Sequence, residues 1–210
     1  LLKREAIEAA FKEAKKAGKQ WFRLEKDAAR ALEAGYRLAG HTSFVEPVGQ
    51  YFALSPADIG PLIKPNVLSR EVKSLRELYG PRVKKYHPRL SGLKGGVIRA
   101  LPVPGAKIID LSDPVEWKSY LTKLAKGTKY EEPLKEFFRM GRSGLFLELE
   151  GFEELITEDL KRRGTHVIFP DIVGHQPDIA QVVSLVPGKT IGKAGKSIGL
   201  LGAAGVIGAG

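Results

Sequence analysis

The chain has 210 residues, of which 43% are apolar, enough for a packed core and too apolar for wholesale disorder. It has no cysteine, which excludes disulfides, thiolate nucleophiles and cysteine-based zinc sites. Its net charge of +10 is unevenly spread: residues 64–107 hold eleven Lys or Arg against two acids, while residues 108–160 hold seven basic against twelve acidic residues. Such a basic block can meet phosphate, nucleic acid or an anionic membrane, or it can dock on the acidic segment of the same chain.

Residue 1 is Leu and the single methionine is Met140, so the expectation is a segment of a longer polypeptide. Residues 1–19 are too charged for the apolar region of a signal peptide, which points to a cytoplasmic or virion-associated setting. Residues 1–39 read as helix, broken near Gly18. Ile7, Phe11 and Ala14 form one stripe, and Trp21, Leu24, Ala28, Leu32 and Tyr36 form a second. Residues 1–35 are therefore taken as a helical N-terminal extension. From His41 to Pro65 the texture turns to Gly, Pro and short apolar runs, with Tyr51 to Leu54 as a short strand. Ser55 followed by Pro56 has the form of a helix start. A helix over residues 66–80 is stopped by Gly80-Pro81, and residues 81–96 form a basic loop.

Two strands follow, Gly96 to Val103 and Ala106 to Leu111, joined by Pro104-Gly105 as a hairpin or a sharp bend. Asp113-Pro114 opens a helix to about Lys126, and residues 131–163 are mainly helical with an interruption at 141–144. Thr165 to Phe169 and Ile179 to Val186 read as strands, with Pro170 to Pro177 as the loop between them. Strands set among helices without a regular βαβ repeat predict an α+β fold. The last thirteen residues, Ile198 to Gly210, are uncharged and small. They are too few to span a bilayer, which takes about 20 apolar residues, so the 193–210 tail is a linker or the start of a membrane segment.

Familiar catalytic signatures are missing. Gly188-Lys189-Thr190 lacks the upstream glycine of a phosphate-binding loop, and no His-Glu-x-x-His or Gly-x-Ser-x-Gly occurs. The histidines at 41, 87, 166 and 175 share no helical face, so no metal site is expected.

Four separated pieces, in order, do carry a pattern. They are Tyr36-Arg37-Leu38-Ala39-Gly40-His41, then Gly49 to Asp58 with Tyr51-Phe52-Ala53-Leu54-Ser55-Pro56, then Leu101-Pro102-Val103-Pro104-Gly105-Ala106-Lys107-Ile108-Ile109-Asp110-Leu111, then His175 to Pro187. Over residues 36–192 this order resembles the ADP-ribosyltransferase-like superfamily, in particular its small toxin and phage-associated members. The resemblance implies small split antiparallel sheets with helices, NAD as substrate, and a protein target for ADP-ribose. It implies that Arg37 or His41 grips the dinucleotide and that Tyr51 or Phe52 stacks on nicotinamide. Ser55 then orients the ribose or only caps the following helix.

Where the family carries its catalytic Glu, this chain has Gln181, which can hydrogen-bond a ribose but supplies no charge. Asp178 lies three residues earlier, and period-two geometry puts 178 and 181 on opposite faces if both are in the strand. Either Asp178 is the carboxylate or the domain is catalytically dead. The run Glu148, Glu150, Glu153 and Glu154 reads as solvated surface. A bacterial effector delivered into host cells would share this transferase chemistry. The other reading is a non-enzymatic structural or interaction module of a virion-associated protein. Arg82, Lys84, Lys85, Arg89 and Lys94 would then face nucleic acid or an anionic membrane, in a salt-sensitive way. Only Tyr79 and Tyr86 lie near that stretch, so base stacking has little support there.

Overall fold

A computed structural model describes residues 4–25, 44–54, 96–140, 147–171, 176–194 and 197–200. The protein is α+β, with four α-helices among the described residues and strands in mixed rather than purely antiparallel pairing. The chain divides into two compact units: Leu1–Arg37, Phe52–Gly105 and Pro187–Gly210 in one, Leu38–Tyr51 and Ala106–Val186 in the other.

The first unit opens with α1 (Arg4–Lys16), which has Glu5 in its first turn and Lys15 and Lys16 in its last, as the helix dipole favours. Ile7 and Phe11, four residues apart, are its buried stripe and pack on Leu101 and Ile191. Gly18, at φ +65°, ends it: the Lys19 N–H returns to the Ala14 carbonyl, a backbone path that favours glycine. The Gln20 amide closes the junction by donating to the Phe11 carbonyl at 2.8 Å.

The second helix expected from Trp21 onward is corrected, because Trp21–Glu25 is a strand, β1. It pairs antiparallel with β2 (Gln50–Ala53) through Phe22 and Ala53, and with β3 (Gly96–Pro102) from Trp21↔Ala100 to Glu25↔Gly96. The run Trp-Phe-Arg-Leu-Glu suits strand or helix, and neighbours on both sides decide it. The helical extension 1–35 therefore contains one helix and one strand among its described residues. The remainder of that stripe, residues 26–43, lies outside the described residues, as do the expected elements at 55–95.

Further along, β3 pairs antiparallel with β7 (Thr190–Ala194), and β7 with β8 (Ser197–Leu200). The start of the expected linker or membrane tail is thus a strand pair, with Lys193 opposite Ile198. No helix of the described residues is long and apolar enough to cross a membrane. Pro104-Gly105 makes a turn, with Gly105 at φ +78°, but a bend and not a hairpin. β4 (Ile108–Asp110) runs parallel to β5 (His166–Asp171), and β3 pairs with β1 and β7.

In the second unit, β5 pairs antiparallel with β6 (Gln176–Ser184), and three helices cover one face of the pair. These are α2 (Pro114–Ala125), α3 (Glu131–Met140) and α4 (Phe152–Arg163). The alternation of the strands sends Val167, Phe169 and Val183 into a core with Trp117, Leu121, Leu134, Phe152, Ile156 and Leu160. Asp113 starts α2 as the sequence predicts, its Oδ1 accepting from the Val115 N–H at 2.7 Å and the Glu116 N–H at 3.0 Å, with Pro114 in the first turn. Asp113→Ala should cost about 1 kcal/mol by urea denaturation, and no measurable loss would mean that water replaces the cap.

Candidate functional site

The best-defined polar cluster of the second unit gathers around the turn at residues 44–49, just before β2. Val45 and Pro47 are buried there, and Glu46 between them is only 8% exposed. Three contacts hold the turn. The Val48 N–H donates to Thr157 Oγ1 at 2.7 Å, and that hydroxyl donates to the Glu153 carbonyl at 2.6 Å. The Tyr51 hydroxyl donates to the Pro47 carbonyl. Gly49 lies flat on β6, where a Cβ would come within 2.4 Å of Val183 Cγ1 and 2.5 Å of the Ser184 carbonyl oxygen. Any side chain at 49 would push the turn off the strand.

Gln181 lies on β6 opposite Phe169, on the helix-covered face, and is 6% exposed. Its Nε2 donates to Glu46 Oε1 at 3.4 Å, a long bond between two buried side chains from distant parts of the chain. Gln50, four residues after Glu46, is 2% exposed, and its Oε1 has no hydrogen-bond partner. Buried polar atoms without partners are uncommon, because each carries an uncompensated desolvation cost. Asp171, at the end of β5, is also nearly buried. No group of three or more His, Cys, Asp or Glu suited to a metal occurs among the described residues.

Asp178 falls within β6, so the strand begins earlier than the loop assigned to Pro170–Pro177. The β5–β6 ladder is interrupted near Asp178. Pro170 pairs with Ala180, but Asp171 pairs with Gln176, so residues 177–179 are inserted against a single step of β5.

The two predicted stacking residues part company. Tyr51 is half-buried and meets Phe169 edge to face, with ring centroids 6.1 Å apart. Phe52 is 2% exposed and packs beside Trp21 in the first unit, with centroids 6.2 Å apart. Arg37, His41 and Ser55 lie outside the described residues, as do Arg82, Lys84, Lys85, Arg89 and Lys94. Glu148, Glu150 and Glu154 are exposed, as expected of surface acids, and Glu153 Oε2 accepts the Gly151 N–H at 3.0 Å.

The sequence reading missed Glu46 and Gln50. The available signal was a charged residue set between apolar neighbours in Phe44-Val45-Glu46-Pro47-Val48, which is costly to bury unless it is partnered. A shallow groove in this unit is lined by Tyr120, Lys123 and Arg163. Its phenol already donates to Asp159 Oδ2 at 3.0 Å, and burial together with that carboxylate pushes Tyr120 above its ordinary range. That tyrosine is thereby committed to holding α2 against α4. Comparison with protein-family models, with curated proteins and with solved structures gave no match.

Proposed function

We propose that the chain is an ADP-ribosyltransferase-like domain of a larger phage or toxin polypeptide that binds NAD and acts on its nicotinamide–ribose bond. The observation that carries this reading is Gln181. The resemblance puts a catalytic strand Glu at that position, and here a buried amide on β6 is hydrogen-bonded to a carboxylate brought from residue 46. Cleaving the nicotinamide–ribose bond develops positive charge on the ribose. Polar groups fixed beforehand around that carbon stabilise the transition state more than the ground state. Tyr51, held by its own hydroxyl and by Phe169, supports the same reading as an aromatic residue near the pair in sequence.

The test is calorimetric titration of the purified chain with NAD, with Arg37→Ala and Gln181→Ala alongside. Saturable binding, weakened at least fivefold in each variant, is the expected result. No heat of binding at millimolar NAD would overturn the proposal and leave a basic structural module to be tried against DNA and anionic lipid.

A further inference from the structure

We infer that the first unit binds the phosphate backbone of nucleic acid along one flank of α1, where Lys12 and Lys15 stand beside Arg99 of β3 and Lys193 of β7. The inference is independent of the NAD reading, because it uses other residues and another partner.

Charge separates by unit. Among the described residues the first unit holds nine Lys or Arg against four acids, and the second holds ten against fifteen. Strand pairing concentrates part of that surplus. Arg99 on β3 lies directly opposite Lys193 on β7, and directly paired residues of an antiparallel sheet point to the same face. That face is the one under α1, because Leu101 and Ile191, two residues along the same strands, pack against Ile7 and Phe11. Like charges set opposite each other repel, so the arrangement is disfavoured unless an anion offsets it. Glu8 of α1 supplies one carboxylate, bonded to the Lys193 ammonium, which also lies 5.9 Å from the centroid of the Phe11 ring. Arg99 is half-buried and makes no hydrogen bond or ion pair among the described residues.

The helix extends this row of cations. Lys12 and Lys15 lie four and seven residues after Glu8, so they share its side of α1, and both are exposed. At about 1.5 Å per residue, the stretch from Glu8 to Lys15 is about 10 Å long, too long for one small anion to neutralise. A nucleic-acid backbone suits it, since duplex DNA presents one negative charge about every 1.7 Å along its axis. The apolar side of α1, Ile7 and Phe11, is buried on the sheet. The large apolar side chains exposed among the described residues, Ile108, Val115, Met140 and Leu147, all belong to the second unit. This flank therefore offers cations without an apolar wedge to enter a bilayer, which favours nucleic acid over a membrane. Binding through phosphates alone is independent of base sequence and falls steeply with salt.

The experiment measures binding of the full chain to a labelled DNA duplex of about 20 base pairs by fluorescence anisotropy, from about 50 to 200 mM salt. Lys12→Gln/Lys15→Gln/Arg99→Gln should weaken binding at least tenfold and make the slope of log Kd against log salt shallower by about 2–3. Lys123, Lys126 and Lys129 of the second unit are exposed and serve as the control. The same three changes to Gln there should alter Kd less than twofold. Glu8→Gln removes the competing carboxylate and should tighten binding at least twofold. It also decides the matter if a thermal melt shows that the triple variant does not fold. No duplex binding at the lowest salt, a triple variant no weaker than its control, or a Glu8→Gln chain that binds no tighter would each overturn the inference. So would a triple variant that loses adhesion to phosphatidylserine vesicles while its duplex binding is unchanged, since the flank would then face a membrane.

Discussion

Replacing Trp117 by alanine is expected to be the most damaging single change in the second unit, at about 3–5 kcal/mol. The indole is fully buried, stacked on Tyr120 at 5.3 Å and tilted against Phe169 at 4.9 Å between ring centroids. Removing it opens a cavity where α2 meets β5, and rigid neighbours such as Phe169 and Leu121, each fully buried, cannot collapse into it. Trp117→Phe separates two contributions. The indole Nε1 is buried without a hydrogen-bond partner, so phenylalanine loses volume but also removes an unsatisfied donor. Its cost should be less than half that of Trp117→Ala, read from urea midpoints by circular dichroism. Equal costs for the two variants would show that the indole nitrogen is satisfied in solution.

The second large effect is on acid stability. His166 is fully buried on β5, opposite Ser184, with Nδ1 2.9 Å from Thr165 Oγ1. Burial disfavours the charged ring and pushes it down to about 4. In the unfolded chain an imidazole titrates near 6.5, so between these values the unfolded state holds the extra proton and stability rises with pH. The contribution is fully present above about pH 6.5, fades as pH falls toward 4, and is not lost further below that. The expected loss across the window is about 3 kcal/mol. His166→Gln should flatten that part of the curve, so the comparison is the difference between wild type and variant at pH 7, 5 and 4. Parallel curves for the two proteins would mean that His166 takes up its proton without unfolding.

Local chemistry made parts of the second unit readable in advance. Asp113-Pro114 marks a helix start through capping, and Trp117, Leu121 and Ala125 repeat at helical spacing behind it. Thr165 to Phe169 is β-branched and aromatic without breakers, and β5 there starts one residue later and ends two residues later. The first unit was harder to read for a definite reason. Trp21 to Glu25 fits a helical stripe as well as a strand, and β7 includes a Gly and a Lys that weaken any strand signal. Both segments are strands because neighbouring backbones take up their hydrogen bonds, and those neighbours lie far away in sequence.

The candidate site divides along the same line. Gln181 could be singled out from the order of motifs, and Asp178 from its carboxylate. That Glu46 is the carboxylate beside Gln181 depends on bringing together residues 135 positions apart. The break in register between β5 and β6 at Asp171 is likewise set by strand pairing and not by local sequence.

The sequence by itself determined the α+β class, the cysteine-free chemistry, the charge asymmetry and the helices whose caps and stripes are local. Only the tertiary structure decided that residues 21–25 extend, that β4 runs parallel to β5, and which acid meets Gln181. Helix signals repeat within a few residues, whereas strand partners and buried polar pairs are chosen by contacts that no short window of sequence contains.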